Sequence, residues 1–131
     1  MLFNTIYSEG TMKLIYCSLF IVSSFPLYGM FDGICIDGAD LKKGKFAQVS
    51  CKGGSFVNVN FSEADLRATD FEDANLTNAN FFRAEINILP LVGQDGKIFP
   101  TTNFRNACIK NIKTDGLSLE VIAFIKSQAK E

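Results

Sequence analysis

The chain contains no histidine and no tryptophan. The missing histidine removes the commonest general base and the commonest zinc ligand. An excess of either charge is also missing: thirteen Lys and Arg stand against fourteen Asp and Glu, a formal net charge of −1. A generic nucleic-acid binder would be visibly basic, and a strong DNA mimic visibly acidic. There is no glycine-rich phosphate loop, and no carboxylate is paired with a base or nucleophile. Asp37-Gly38, Gly53-Gly54 and Asp95-Gly96 read as turns. Ser and Thr have no histidine partner, and nothing points to a Ser–Lys pair. The tandem Asp and Asn do not follow the spacing of an EF-hand loop, and flat threonine rows are absent. These absences argue against an enzyme, a bound metal and a cofactor.

Cysteine is sparse. Of four cysteines, Cys17 lies in the N-terminal segment, leaving Cys35, Cys51 and Cys108 in the remainder. An odd number at no metal-like spacing is poor support for a disulfide framework or a zinc site. Cys35 and Cys108 each precede a core slot by one residue and are expected to point outward. A disulfide between them is an open alternative in an exported protein.

Met12-Lys13 and the apolar run over 14–25, broken at Pro26, have the form of a secretory signal. The run is too short to cross a bilayer comfortably as a helix. Residues 1–29 are therefore read as a signal region, with the true start at Met12 and cleavage after Ser24 or Gly29. An uncleaved anchor and a buried N-terminal strand are the alternatives. The whole length, 131 residues, allows one domain.

What is present in abundance is a period. Every fifth position from Phe31 to Ile86 is large and apolar or a cysteine: Phe31, Ile36, Leu41, Phe46, Cys51, Phe56, Phe61, Leu66, Phe71, Leu76, Phe81 and Ile86. Two residues before most of these stands a small residue, as at Ala64, Thr69, Ala74, Ala79 and Ala84. A period of five fits neither a helix nor a flat strand. It describes a chain that turns at every unit, with the large residue on an axis and the small one permitting close approach. Cys51 takes a core slot as a small hydrophobe.

Units such as Ala64-Asp65-Leu66 and Ala79-Asn80-Phe81 resemble the pentapeptide repeat family, whose motif is Ala-Asp/Asn-Leu/Phe followed by two variable polar residues. The resemblance implies an all-β solenoid: a right-handed quadrilateral β-helix with one pentapeptide per side. Residues 30–86 are then the solenoid, about three coils. Residues 87–98 break the phase and are read as a loop excursion packed on its side, with a turn at Gln94-Asp95-Gly96. Residues 99–116 resume the period at Phe99, Phe104 and Ile109 as a partial fourth coil. Residues 117–131 hold a C-terminal helix, predicted over 117–130, with Ser118 or Asp115 as its cap. It serves as a lid, or as the dimer interface that some family members make of such a helix.

Stacking at twenty residues predicts outer ladders that place Lys52 between Asp32 and Glu72, Glu63 between Lys43 and Arg83, and Asp65 between Lys45 and Glu85. Asn60 is expected over Asn80, and Asn58 over Asn78. Asp65, Asp70, Glu72, Asp73 and Glu85 form a locally acidic stretch and are the candidate interaction surface. Some family members resemble duplex DNA in shape and charge and protect DNA gyrase from inhibitors, which makes a topoisomerase-interacting mimic the alternative. A short rod diluted by Lys42, Lys43, Lys45 and Lys52 points instead to an exported, non-enzymatic bacterial scaffold for a protein partner. It is expected to be a monomer, without nucleic acid and without a stable membrane span.

Overall fold

The computed structural model describes residues 31–131. The signal expected over 1–29, with Met12 and Cys17, lies outside them. The repeating unit is a β-turn. The carbonyl of each core residue accepts the N–H three residues on: Phe61 from Ala64 at 3.1 Å, Leu66 from Thr69 at 3.2 Å, Phe71 from Ala74 at 3.0 Å. The third residue of each turn is left-handed, with φ of 57° at Glu63, Ala68 and Asp73 and 59° at Asn78. Left-handed backbone at the third position and not the second is the type II arrangement. Such residues recur every five positions from Gly33 to Arg83, and again at Asn106, Asn111 and Gly116. Gly, Asn and Asp enter this region at little cost, whereas Lys43, Gln48, Glu63, Ala68 and Arg83 carry backbone strain of roughly 1–2 kcal/mol each.

A turn in every unit leaves one residue per side to pair with the next layer. Parallel bridges join Cys35 to Ser55 to Asn75, Asp40 to Asn60 to Asn80, Lys45 to Asp65 to Glu85, and Ser50 to Asp70. These four ladders, one rung every twenty residues, define a four-sided solenoid. Ser55 shows the rung in full: its N–H donates to Ile34 at 2.7 Å and its carbonyl accepts Ile36 N–H at 3.0 Å. The regular strands among the described residues are β1 (Leu91–Val92) and β2 (Ile98–Phe99), which pair antiparallel outside the ladders.

Inside, the residues of the five-fold series from Phe31 to Phe81 are all buried, as are Phe104 and Ile109. Rings one layer apart stack, Phe61 on Phe81 at 5.6 Å and Phe71 on Phe104 at 5.6 Å. Rings on adjoining sides of successive layers meet edge to face, Phe46 with Phe61 and Phe56 with Phe71, both at 5.8 Å. Both arrangements suit the aromatic quadrupole. Ile86 is half-buried at the margin of this core, because the chain leaves the ladder immediately after it.

The departure is a β-hairpin with its turn at 93–97, closed by Gly93 N–H on Lys97 at 2.8 Å. Two expectations are corrected here. Phe99 is not a core slot: it pairs with Leu91 in the hairpin, and the repeat resumes at Asn103, which bridges Asp70. The excursion is also not folded flat onto the side. Val92 and Ile98, cross-strand partners on one face, are 72% and 68% exposed, and Leu89, which precedes the paired strand, is 70% exposed; Leu91 and Phe99, on the other face, are partly buried. The ladders then continue to Cys108 and Lys113.

Helix α1 spans Leu119–Gln128, shorter than predicted at both ends, with Ser118 as N-cap accepting Val121 N–H at 3.3 Å. Ile125 is fully buried, and Leu117, Val121, Phe124 and Ala129 pack against the core, while Leu119 is 85% exposed. After the helix, Lys130 joins the ladder of Cys108. Gln128 Oε1 accepts Phe104 N–H at 2.9 Å, so a side-chain amide supplies an acceptor that a further layer would otherwise provide. Cys35 and Cys108 share one ladder with Ser55 and Asn75 between them. Three rungs separate them by about 14 Å. A disulfide needs Cα atoms within about 7 Å, so Cys35 and Cys108 are not joined to each other.

The turn geometry can be tested at Gly53, where φ is 63° and a Cβ would meet nothing within 4 Å. Gly53→Ala is expected to cost about 1 kcal/mol in a urea melt, from backbone strain alone, and Gly53→Asn distinctly less.

Candidate functional site

From Asn60 to Asn80 the repeat motif places an Asp or Asn on the ladder, one residue before the core slot. There its Oδ1 accepts the N–H two residues on: Asp65 from Arg67 at 3.2 Å, Asp70 from Glu72 at 3.0 Å, Asn75 from Thr77 at 3.1 Å, Asn80 from Phe82 at 3.0 Å. Amide ladders run between layers, as expected, from Asn78 to Asn58 at 3.1 Å and from Asn80 to Asn60 at 3.4 Å. A further rung joins Asn60 to Asp40 at 2.9 Å. Much of the polar surface is thus engaged in holding the coils. No buried side-chain nitrogen or oxygen among the described residues lacks a partner. Nor is any group of three Cys, Asp or Glu among them arranged to hold a metal ion.

The candidate acidic surface is correspondingly neutralised. Asp65 is bridged by Arg67 at 2.7 Å, and Arg67 also reaches Glu85 at 3.4 Å. Burial alone would raise the Asp65 carboxyl, but the Arg67 hydrogen bonds outweigh it and hold the pKa below the ordinary value. Arg67 is correspondingly raised, chiefly by its hydrogen bond to Asp65. Lys52 lies 3.2 Å from Glu72 and 3.4 Å from Asp70, and those contacts raise its pKa, with the Glu72 hydrogen bond foremost. Asp70 also accepts the Asn103 amide at 3.0 Å. Asp73 is exposed in a left-handed turn position. The predicted contact of Glu63 with Arg83 is replaced: Glu63 pairs with Lys42 at 3.4 Å and Lys43 at 3.8 Å, while Arg83 lies over the Phe82 ring at 4.9 Å.

The built feature of the surface is the corner from which the hairpin leaves. There Asn87 is buried and makes contacts that no repeat residue makes. Its Oδ1 accepts Ala68 N–H at 2.7 Å and lies 3.0 Å from the Thr102 hydroxyl. Its Nδ2 donates to Leu89 O at 2.8 Å and Pro100 O at 2.9 Å. In the regular layers the left-handed residue donates to a backbone carbonyl nineteen residues on, as Gln48 does to Arg67 at 2.9 Å. At Ala68 the Asn87 side chain takes that part, because the main chain is turning away. Thr102 Oγ1 reaches Leu66 O at 2.8 Å and ties the returning strand to the same layer.

This staple holds the hairpin over the solenoid side and leaves two adjoining clefts. One, of about 320 Å³, runs between Leu91, Val92 and Phe99 of the hairpin and Ala47, Gln48, Arg67 and Ala68 of the coils. The other, of about 520 Å³, continues past Pro100 to Asp32, Ser50, Lys52 and Asp70. The region therefore joins an apolar wall to a polar, mixed-charge floor. Of the acidic residues proposed from sequence, Asp70 lines it. Asp65 and Glu72 reach it through Arg67 and Lys52, which do line it. Asp73 and Glu85 are not among its lining residues. The sequence reading placed an excursion with a turn here but did not single out Asn87, Gln48 or Ala68; the signal available was a polar residue at the point where the period breaks.

The pentapeptide repeats family model matches residues 45–83, in eight copies. No curated protein matches the chain. Residues 45–83 are thus pentapeptide repeats, and the four ladders are the β-solenoid such repeats form. The same turns and rungs extend beyond the matched stretch, from Phe31 onward and again past Phe104, where the motif itself has thinned.

Asn87→Ala is expected to cost about 2–4 kcal/mol, since it strips four buried or half-buried contacts while leaving Ala68 N–H without its acceptor. Thermal melts with Asp73→Ala as a surface control check this. The depressed Asp65 carboxyl stabilises the fold above the ordinary carboxylate range, and that contribution is lost as pH falls below it toward the folded-state value. Asp65→Asn is therefore expected to melt lower at pH 7 and to show a shallower loss of stability on acidification below about pH 4.

Proposed function

We propose that the chain is a non-enzymatic, exported scaffold that offers a rigid solenoid side to a protein partner. Its body is read as a right-handed quadrilateral of three coils and a partial fourth, closed by α1 acting as a lid, and working as a monomer. The observation that carries the proposal is the stapled hairpin, which presents Leu89, Val92 and Ile98 to solvent above a cleft with a mixed-charge floor. A large exposed apolar group held rigidly beside polar side chains is the usual composition of a protein-contact patch. Among the described residues no helix is long and apolar enough to cross a membrane. The apolar run before Pro26 supports export by a cleaved signal. The gyrase-protecting mimic is less well supported, because Asp65, Asp70 and Glu72 are each ion-paired and project little unbalanced negative charge.

Crosslinking and capture from the protein's own cells tests the reading, with Val92→Asp and Ile98→Asp compared with the native chain. Partner recovery is expected to fall at least tenfold in both variants without a change in melting temperature. Recovery equal to the native chain would remove the hairpin from the interface. Mass spectrometry of the mature N-terminus tests export, with a start at Phe25 or Met30 expected. A supercoiling assay tests the mimic, with no relief of gyrase inhibition expected.

A further inference from the structure

Two stretches of the solenoid have the form Asn-x-Ser/Thr: Asn60-Phe61-Ser62 and Asn75-Leu76-Thr77. In a chain that enters a secretory route, this tripeptide is the acceptor for N-linked glycosylation. By motif alone the two are equal, and the structure separates them. Four asparagines stand on the ladders: Asn60, Asn75, Asn80 and Asn103. Three have their Nδ2 tied to the adjoining layer, Asn60 to Asp40 at 2.9 Å, Asn80 to Asn60 at 3.4 Å and Asn103 to Asp70 at 3.0 Å. Asn75 Nδ2 donates to no described residue, and Asn75 is exposed. Its Oδ1 closes the local turn, accepting Thr77 N–H at 3.1 Å and the Thr77 hydroxyl at 2.6 Å, which leaves the nitrogen to solvent. Its neighbours along the ladder are the small side chains of Ser55 and Cys108. Asn60, in contrast, is half-buried between Asp40 and Asn80, and Ser62 is buried. The flanks differ as well. Transferases of the bacterial type read an acidic side chain two residues before the asparagine; the exposed Asp73 stands there for Asn75, whereas Asn58 does for Asn60.

We propose that Asn75 is an acceptor for an N-linked glycan and that Asn60 is not. The donor class is an oligosaccharide carried on a lipid diphosphate. Transfer forms a C–N bond from Nδ2 to the anomeric carbon, breaks that carbon's C–O bond to phosphate, and releases the lipid diphosphate and one amide proton. Leu76 is fully buried on the axis, so transfer precedes folding of this coil. The fold then has only to accommodate the product, and the free nitrogen of Asn75 between two small side chains allows that. In the cell the inference rests on the export part of the proposed function, which brings the chain to the donor. It also assigns the sides of the stack. The Cys35–Ser55–Asn75 ladder lies across the four-sided solenoid from the Lys45–Asp65–Glu85 ladder. A glycan at Asn75 therefore stands away from the cleft beside Arg67 and Ala68 and leaves the hairpin open to a partner.

The test is cell-free synthesis of the full chain with a purified single-subunit oligosaccharyltransferase and its lipid-linked donor, which needs no export. Intact mass is expected to rise by one donor glycan, placed at Asn75 by peptide mapping. The addition is expected to disappear in Asn75→Gln and Thr77→Ala, and to persist in Thr77→Ser and Asn60→Gln. The glycosylated chain is expected to melt within about 2 °C of the bare one. Absence of any addition, with a control acceptor peptide modified in the same mixture, overturns the proposal. So does an addition that survives Asn75→Gln, or a glycosylated chain that does not fold. The protein from its own cells gives the second reading. A processed chain carrying the glycan at Asn75 supports the proposal, and a processed chain with Asn75 bare overturns it. An unprocessed chain without the glycan, beside successful cell-free transfer, removes the export reading and leaves Asn75 as the acceptor.

Discussion

The rest of this structure depends on a single hydrogen bond repeated every five residues, from the N–H three positions after each core residue to that residue's carbonyl. It bends the chain at each unit, which is why an axis forms at all. It leaves one residue per side free to bridge to the next layer, so the ladders consist of isolated rungs instead of extended strands. It requires a left-handed residue two positions past each core side chain. Such a turn is weak in isolation. Its repetition stacks Phe61 on Phe81 and Phe71 on Phe104, and burial of those rings stabilises every turn in the column together.

That constraint also governs what the polar residues can do. The Asp and Asn of the motif are held on the ladder, where Oδ1 closes the local turn and the carboxylate or amide reaches the next layer. A carboxylate in this position already accepts hydrogen bonds and is paired with Lys or Arg on the same face. It is poorly placed to act as a base on a bound molecule. The richness of Asp and Asn around 60–85 is therefore mainly a structural signature, and the surface chemistry must come from somewhere the repeat does not reach.

The axis was legible because its period is uninterrupted: eleven slots from Phe31 to Phe81 are buried as read. The amide ladders of Asn58 with Asn78 and Asn60 with Asn80 followed from the twenty-residue stacking alone. Legibility ended where the period did. Phe99 lies five residues before Phe104 and looked like a slot, but spacing does not reveal that Leu91 has claimed it as a cross-strand partner. Leu89 and Val92 were expected to pack on the side because they are apolar, whereas both are exposed, and Val92 shares the outer face of the hairpin with its cross-strand partner Ile98. Glu63 was assigned Lys43 and Arg83 by register; Lys43 reaches it, Lys42 joins it, and Arg83 finds an aromatic ring instead. Rigid rungs obey the period; long side chains obey it at Lys43–Glu63 and Lys52–Glu72 but not at Arg83.

Asn87 shows how an insertion can be tolerated in so regular a stack. A break in the ladder strands the backbone donors of the layer beside it, and a buried N–H without an acceptor costs about 1–3 kcal/mol. Asparagine carries in its side chain the same amide that the departing main chain takes away. Placed one residue past Ile86, it gives Ala68 an acceptor and clasps both legs of the hairpin through Leu89 and Pro100. The register is thereby handed from Glu85 to Asn103 across the insertion, and the core continues from Phe81 to Phe104 without a gap. A site that repairs the ladder while projecting a hairpin can accept changes in the hairpin's outer face without disturbing the coils. That separation of duties places Val92 and Ile98, and not the acidic rungs, where surface residues can vary independently of the fold.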